Sequence, residues 1–246
     1  MWFSSGVVEA VVEFVPQWFA LVLLVFSYVG SVYIIGPATI VGYLFGDRRH
    51  TVAWPGIIIG AYALFVFLKP LFGIPRPGVE PPVTAAMVPT VLAPIVELAV
   101  DFDTGSFPSG HAIAATVFYG LLVVDLRVST FRRRLLFAAG VICMIGFTRV
   151  ALGVHYPGDV VGGLVIGITF LAGMLFVRER VANPGRAMLL LAAIPALVSG
   201  MIGEVTRSIV LLSAILIMLF VIEVGDERSN SVVSKVILCK VRKDEQ

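Results

Sequence analysis

The chain has 246 residues, of which 59% are hydrophobic and only 14% charged, with a formal net charge of +2 and a mean hydropathy of +1.00. A soluble globular domain carries about 25% charge, so a water-soluble domain is excluded and an all-α, polytopic integral membrane bundle of about six to seven transmembrane helices is predicted. The small net charge says nothing about partners, because in such a chain the placement of charge carries the information; no nucleic-acid partner is expected.

Residues 1–17 place Val7, Val8, Val11, Val12 and Val15 around Glu9 and Glu13, a spacing that predicts a short helix lying in the membrane interface. With no basic n-region, this stretch is not expected to be a cleaved signal peptide. Residues 18–45 contain no charged side chain and form the first predicted span, long enough for a hydrocarbon core of about 30 Å. A basic loop, GDRRH (46–50), separates it from a shorter second span at 52–68. Residues 69–108 are proline-rich. Within them 84–100 is apolar but interrupted by Pro89 and Pro94 and carries Glu97, which predicts an interfacial or re-entrant segment instead of a span. Five further spans are predicted at 111–126, 135–152, 159–177, 187–202 and 208–224, giving a single membrane domain closed by a basic tail at 225–246. Cys143 sits in an apolar run and Cys239 in the tail, so no disulfide framework is inferred.

Seven spans put the GDRRH loop, residues 127–134, residues 178–186 and the tail on one side of the membrane. Those segments hold fourteen of the eighteen Lys and Arg residues; the exceptions are Lys69, Arg76, Arg149 and Arg207. The positive-inside rule therefore makes the basic side cytoplasmic and puts the N-terminus outside. The same alternation brings the end of the second span, the start of the third and the end of the fourth to the outer face, where three clusters distant in sequence can meet. They are KPLFGIPRP (69–77), PSGH (108–111) and RVALGVHYPGD (149–159).

Lys69, Arg76 and Arg149 are cations on a face otherwise nearly stripped of them, and near a membrane such charges are costly unless paired. Guanidinium forks and an ammonium match phosphate oxygens; pairing with Glu80, Glu97, Asp101 or Asp103 is the structural alternative. Ser109 and Gly110 stand where a helix start offers unpaired N–H groups to an anion, and Ser109 is equally suited to be a simple N-cap. His111, in the first helical turn, is placed to hand a proton to a leaving oxygen. His155 is followed four residues later by Asp159, which can hold one ring nitrogen and leave the other as a nucleophile, or serve only as a helix-start acid. Pro157 is placed to open the fifth span. His50, beside Arg48 and Arg49, is given no role, and the run Arg132 to Arg134 is read as a topology signal that touches anionic lipid heads.

Taken together, K-x6-RP at Lys69, Arg76 and Pro77, PSGH at 108–111, and R-x5-H-x3-D at Arg149, His155 and Asp159 resemble the signatures of the type 2 phosphatidic acid phosphatase superfamily, which includes membrane phosphatases and is related to vanadium haloperoxidases and bacterial acid phosphatases. The resemblance covers roughly residues 69–159. Thr148 stands where a serine usually precedes the arginine, and its hydroxyl is expected to keep the serine's hydrogen bond. Many members have six spans, three of them before the first signature, whereas here two precede it.

The resemblance implies that His155 attacks phosphorus to form a phosphohistidine, with Asp159 orienting it. His111 would protonate the leaving group and then activate water, while Lys69, Arg76, Ser109, Gly110 and Arg149 hold the phosphate oxygens. No cofactor is implied, and no compact His, Cys or carboxylate set argues for a metal. The implied substrate is a lipid phosphate or diphosphate in the bilayer. Phosphatidic acid, a phosphatidylglycerophosphate-like lipid and a polyprenyl diphosphate all remain open. So does transfer to an acceptor other than water, and, from a different class, a non-catalytic lipid-binding or transport protein.

Overall fold

The computed structural model of the chain describes the backbone of residues 2–100 and 103–244 and the side chains of residues 2–100 and 103–225. Asp101, Cys239 and the five tail cations lie outside the described residues or side chains. Among the described residues every regular element is helical: α1 (Ser5–Glu13), α2 (Gln17–Val29), α3 (Val32–Phe45), α4 (Arg48–Thr51), α5 (Trp54–Phe72), α6 (Ala93–Val100), α7 (Gly110–Asp125), α8 (Phe131–Ala151), α9 (Pro157–Arg178), α10 (Pro184–Met201) and α11 (Val205–Asp244). Six segments are long and apolar enough to cross a membrane: Gln17–Phe45, Arg48–Phe72, Phe131–Ala151, Pro157–Arg178, Pro184–Met201 and Val205–Gly225. With α7, which is shorter at 16 residues, they account for all seven predicted spans. The chain is an integral membrane protein.

α7 lies against α5, α8 and α9, and its residues 112–119 are buried almost without interruption. A helix that is apolar all round belongs in the middle of a bundle, and around it the other spans are arranged. Its contact with α9 runs through Gly163 and Gly167. A Cβ on Gly163 would come within 2.8 Å of the Ser109 carbonyl oxygen, and one on Gly167 within 2.9 Å of Thr116 Cβ. Small residues four apart allow this close approach of two backbones where water provides no driving force between helices.

Two groups of contacts define the ends of the bundle. At one end Lys69 meets Thr104 and Gly105, Arg76 meets Val154, and Arg207 at the start of α11 meets Asp103. At the other end Trp54 and Arg178 meet Asp125, and Gly185 abuts Val52. The basic loop also lies at this second end, where Asp47 caps α4 by accepting from the Arg49 N–H at 3.1 Å.

Three features depart from the sequence reading. The first predicted span is not one helix. It breaks between α2 and α3 at a Gly30–Ser31 pair, with Ser31 extended at φ −92° and ψ 164°; glycine and serine pairs are common sites of such breaks. A Cβ on Gly30 would come within 2.6 Å of Ile145, so the joint closes onto α8 only because that position carries no side chain. The second span, in turn, does not stop at residue 68. α5 runs through Lys69 and Pro70 to Phe72 and is ended by Gly73 at φ +58°, in the left-handed region. Finally, the tail continues the helix α11 as far as Asp244. Residues 84–100, by contrast, form no span, as expected. A 3-10 turn at Ala85–Met87 is followed by α6, whose Val96 and Ala99 pack with Leu23 and Leu24 of α2 and with Ala151 and Leu152.

Candidate active site

A cavity of about 310 Å³ opens at the first end of the bundle, and Lys69, Arg76, Gly110, His111 and His155 are all in its wall. Three stretches separated by up to 86 positions thus reach one space. The other predicted residues stand immediately behind that wall: Asp159 holds His155, Ser109 precedes Gly110, and Arg149 is bonded to Ser27 and Ala99, which themselves face the cavity.

His155 owes its position to a tight return between α8 and α9. Both Val154 N–H and His155 N–H donate to the Arg149 carbonyl, at 3.2 and 3.1 Å, and Gly153 adopts φ +75°, which only glycine takes readily. Pro157 then occupies the first position of α9. Asp159, two residues later, accepts from the Tyr156 backbone N–H at 2.8 Å and lies 3.1 Å from His155 Nδ1 through the same Oδ2. The carboxylate at the start of α9 is thus also the one that lies against the His155 ring. Its other oxygen is 3.3 Å from the Ser106 hydroxyl, so both carboxylate oxygens are held. His155 is 2% exposed. Burial first, then the charges of Arg76, Arg149 and Lys69 and the neighbouring His111, hold its pKa well below the usual 6.5. The ring is therefore neutral at neutral pH, with Nε2 available as a lone-pair donor once Asp159 has taken Nδ1–H.

The cations are fixed by carbonyls and hydroxyls. Lys69 Nζ donates to Thr104 Oγ1 at 3.0 Å and to the Gly105 carbonyl at 2.9 Å. Arg76 donates through Nε to the Thr104 carbonyl at 2.9 Å and through Nη1 to the Val154 carbonyl at 2.6 Å. Burial pushes the Arg76 pKa down to about 10 against the pull of Asp159 and Asp103, which leaves it charged at neutral pH. Arg149, fully buried, donates to the Ser27 hydroxyl and, at 3.1 Å, to the Ala99 carbonyl. Ser109 caps α7, its hydroxyl accepting from Ala112 N–H at 3.4 Å. The first-turn N–H groups of Gly110 and His111 have no partner inside their own helix and sit at the cavity wall. The Thr148 hydroxyl does make a hydrogen bond, donating to the Ile145 carbonyl of its own helix at 2.7 Å.

Sequence reasoning missed Ser27, Tyr62, Thr104, Ser106 and Arg207. Ser27 belongs to a polar patch in the charge-free first span, SYVGS at 27–31, and Arg207 is the one of the four cations outside the basic segments that the three signatures did not absorb. Arg207 also lines the cavity, bonded to Asp103 at 2.7 and 3.0 Å and to Glu204.

The family model described as the PAP2 superfamily matches residues 51–182, just over half of the chain. The chain belongs to the PAP2 superfamily. Relatives of this PAP2 protein include a lipid A 1-phosphatase of Rhizobium johnstonii, 39% identical over 75 residues, which cover 30% of this chain and 29% of the relative. They also include a phosphatidylglycerophosphatase B of Bacillus subtilis, 38% identical over 69 residues, covering 26% of this chain and 34% of the relative. The matched stretch spans about a third or less of these curated relatives. The crystal structure of a transmembrane PAP2 type phosphatidylglycerolphosphate phosphatase from Bacillus subtilis is similar with a TM-score of 0.57 at 21% identity, over 73% of this chain and 86% of that one. That likeness shows a shared membrane-helical fold, and the PAP2 family match extends on both sides of the 69–159 region that the signatures had marked.

Proposed function

We propose that this PAP2 protein is a membrane phosphatase that hydrolyses a lipid phosphate or diphosphate through a phosphohistidine. The observation that carries the reading is the His155–Asp159 pair at 3.1 Å on a cavity that also contains His111, Lys69 and Arg76. The relatives named as lipid phosphatases support a lipid phosphate as the substrate class.

In the first step Nε2 of His155 forms a bond to phosphorus as the bond to the lipid oxygen breaks, and His111 gives its proton to that oxygen. Charge spreading over the equatorial oxygens is met by Lys69, Arg76, the first-turn N–H groups of α7 and, from behind the wall, Arg149. In the second step His111 takes a proton from water, the water oxygen bonds to phosphorus, the N–P bond breaks, and phosphate leaves. Asp159 keeps the imidazole in the required tautomer and balances its charge in both steps. By the charge bias between the two sides, the cavity faces the extracytoplasmic surface and the C-terminus is cytoplasmic.

The test is phosphate release in detergent from a diacylglycerol phosphate, a phosphatidylglycerophosphate and a polyprenyl diphosphate, side by side, with His155→Ala as the blank. Release from at least one lipid, absent in the blank, is expected. No release above the blank from any of the three would overturn the reading.

A further inference from the structure

The cavity continues beyond the signature residues. On α5, Lys69, Val66, Phe65 and Tyr62 all line it, and their spacing places them on one helix face. The seven helical steps from Tyr62 to Lys69 span about 10 Å of helix axis, so the cavity extends from the cluster of cations down toward the middle of the membrane. The opposite wall is the break in the first span, where Ser27, Gly30, Ser31, Val32 and Tyr33 face the same space.

Below Lys69 the α5 wall offers a donor and no cation, while Arg149 stands behind Ser27 on the other wall. The Tyr62 hydroxyl oxygen is buried and has no hydrogen-bond partner among the described residues, while its ring is set edge-on against Phe65, with centroids 5.3 Å apart. Across from it α3 begins without a side-chain cap, because the Ser31 hydroxyl donates back to the Tyr28 carbonyl at 2.7 Å. The first N–H groups of α3 are then left for another acceptor. A buried hydroxyl without a partner is costly and is expected to have one in the working state. Its surroundings, Val32, Phe65 and Val66, would penalise a second phosphate, which needs a countercharge when taken out of water. They suit an uncharged oxygen.

We infer that the deep end of the cavity is a second subsite, in which Tyr62 donates a hydrogen bond to the ester carbonyl of a glycerol-linked acyl chain while the lipid's phosphate sits among Lys69, Arg76, His111 and His155. The inference rests on the proposed phosphatase reading and narrows it to acylglycerol phosphates. The phosphate and glycerol backbone bridge the distance between the two groups of donors. A polyprenyl chain carries no acceptor at that depth and leaves the hydroxyl unpaired.

The experiment compares a diacylglycerol phosphate with the dialkyl ether lipid of the same chain length, on the full chain in detergent micelles, for the wild type, Tyr62→Phe and the His155→Ala blank. One neutral hydrogen bond corresponds to a preference of about 3- to 10-fold. The wild type is expected to favour the ester by that factor, in KM and not in kcat. Tyr62→Phe should hydrolyse both lipids with the KM ratio reduced to near one. Since the substitution removes only an unpaired oxygen, its thermal midpoint should be no lower than that of the wild type. Equal KM for ester and ether in the wild type, or an ester preference that survives in Tyr62→Phe, overturns the subsite and leaves the phosphatase standing. Absence of release from both lipids above the blank removes the phosphatase reading and the subsite with it.

Discussion

At the end of the bundle away from the cavity, Arg178 Nη1 meets Asp125 Oδ2 at 2.7 Å, and Trp54 Nε1 donates to the same oxygen at 2.7 Å. One cation faces one carboxylate, both nearly sealed from solvent. At the cavity end Lys69, Arg76 and Arg149 gather near Asp159, and Arg207 lines the same cavity with Asp103 and Glu204. The first arrangement pairs charge one to one through a single Asp125 oxygen and ties the start of α5 to the ends of α7 and α9. The second sets four cations, Lys69, Arg76, Arg149 and Arg207, against Asp159, Asp103 and Glu204 among the described side chains and around a hollow, an arrangement that suits an anion site. Burial alone does not distinguish the two ends, since Arg149 and Asp125 are both buried; the balance of charge and the adjoining cavity do.

Substitutions at the two ends should separate along this line. His155→Ala should lower kcat by at least about 10⁴-fold with the thermal midpoint unchanged, because a nucleophile acting in one unit with its partners contributes most of the acceleration; turnover above one hundredth of wild type would break the comparison. Asp159→Asn should cost about 10²- to 10⁴-fold in kcat through loss of the tautomer and the countercharge. At the opposite end, Asp125→Ala should take about 3–5 kcal/mol from stability, the cost of leaving a buried partner charge alone, while protein that remains folded turns over at the wild-type rate. Thermal unfolding in detergent with activity normalised to folded protein checks this, and a kcat change without a stability change would contradict it. The smallest effect is in pH. A depressed His155 pKa keeps the nucleophile neutral, so the acid limb of kcat/KM should fall below the ordinary imidazole value of about 6.5. The same depression costs stability as pH falls below that value, because the unfolded chain then binds the extra proton. The limb must therefore be measured in assays short enough to precede unfolding, and a limb at or above 6.5 would count against the depressed value.

Much of this was legible in the sequence where the relevant spacing is local. His155 and Asp159 lie four residues apart across a proline-started helix, and Ser109, Gly110 and His111 are consecutive at another helix start, so helical periodicity alone arranges them. Which clusters meet followed from counting spans and charges. What could not be read was contact between distant residues. Ser27 reaches Arg149 across 122 positions, Arg76 reaches Val154 across 78, and no local pattern marks either. The break at Gly30–Ser31 was hidden because hydropathy averages over a window and stays high on both sides of the joint. The stop of the second span was placed at Lys69 because a charge and a proline usually end an apolar helix. Here the last turn persists, since a proline near a helix end removes only one backbone bond and the lysine finds Thr104 and Gly105.

That last turn makes α5 a continuous strut from Trp54, in the sealed ion-pair cluster, to Lys69, at the cavity. Fifteen helical steps measure about 22 Å, and a helix does not stretch. The height of the lysine above the opposite leaflet is therefore set by the protein. When the bilayer thickens or thins, it is the floating headgroups that move past the strut, so on the proposed phosphatase reading membrane thickness should set how often a lipid phosphate arrives at the right level.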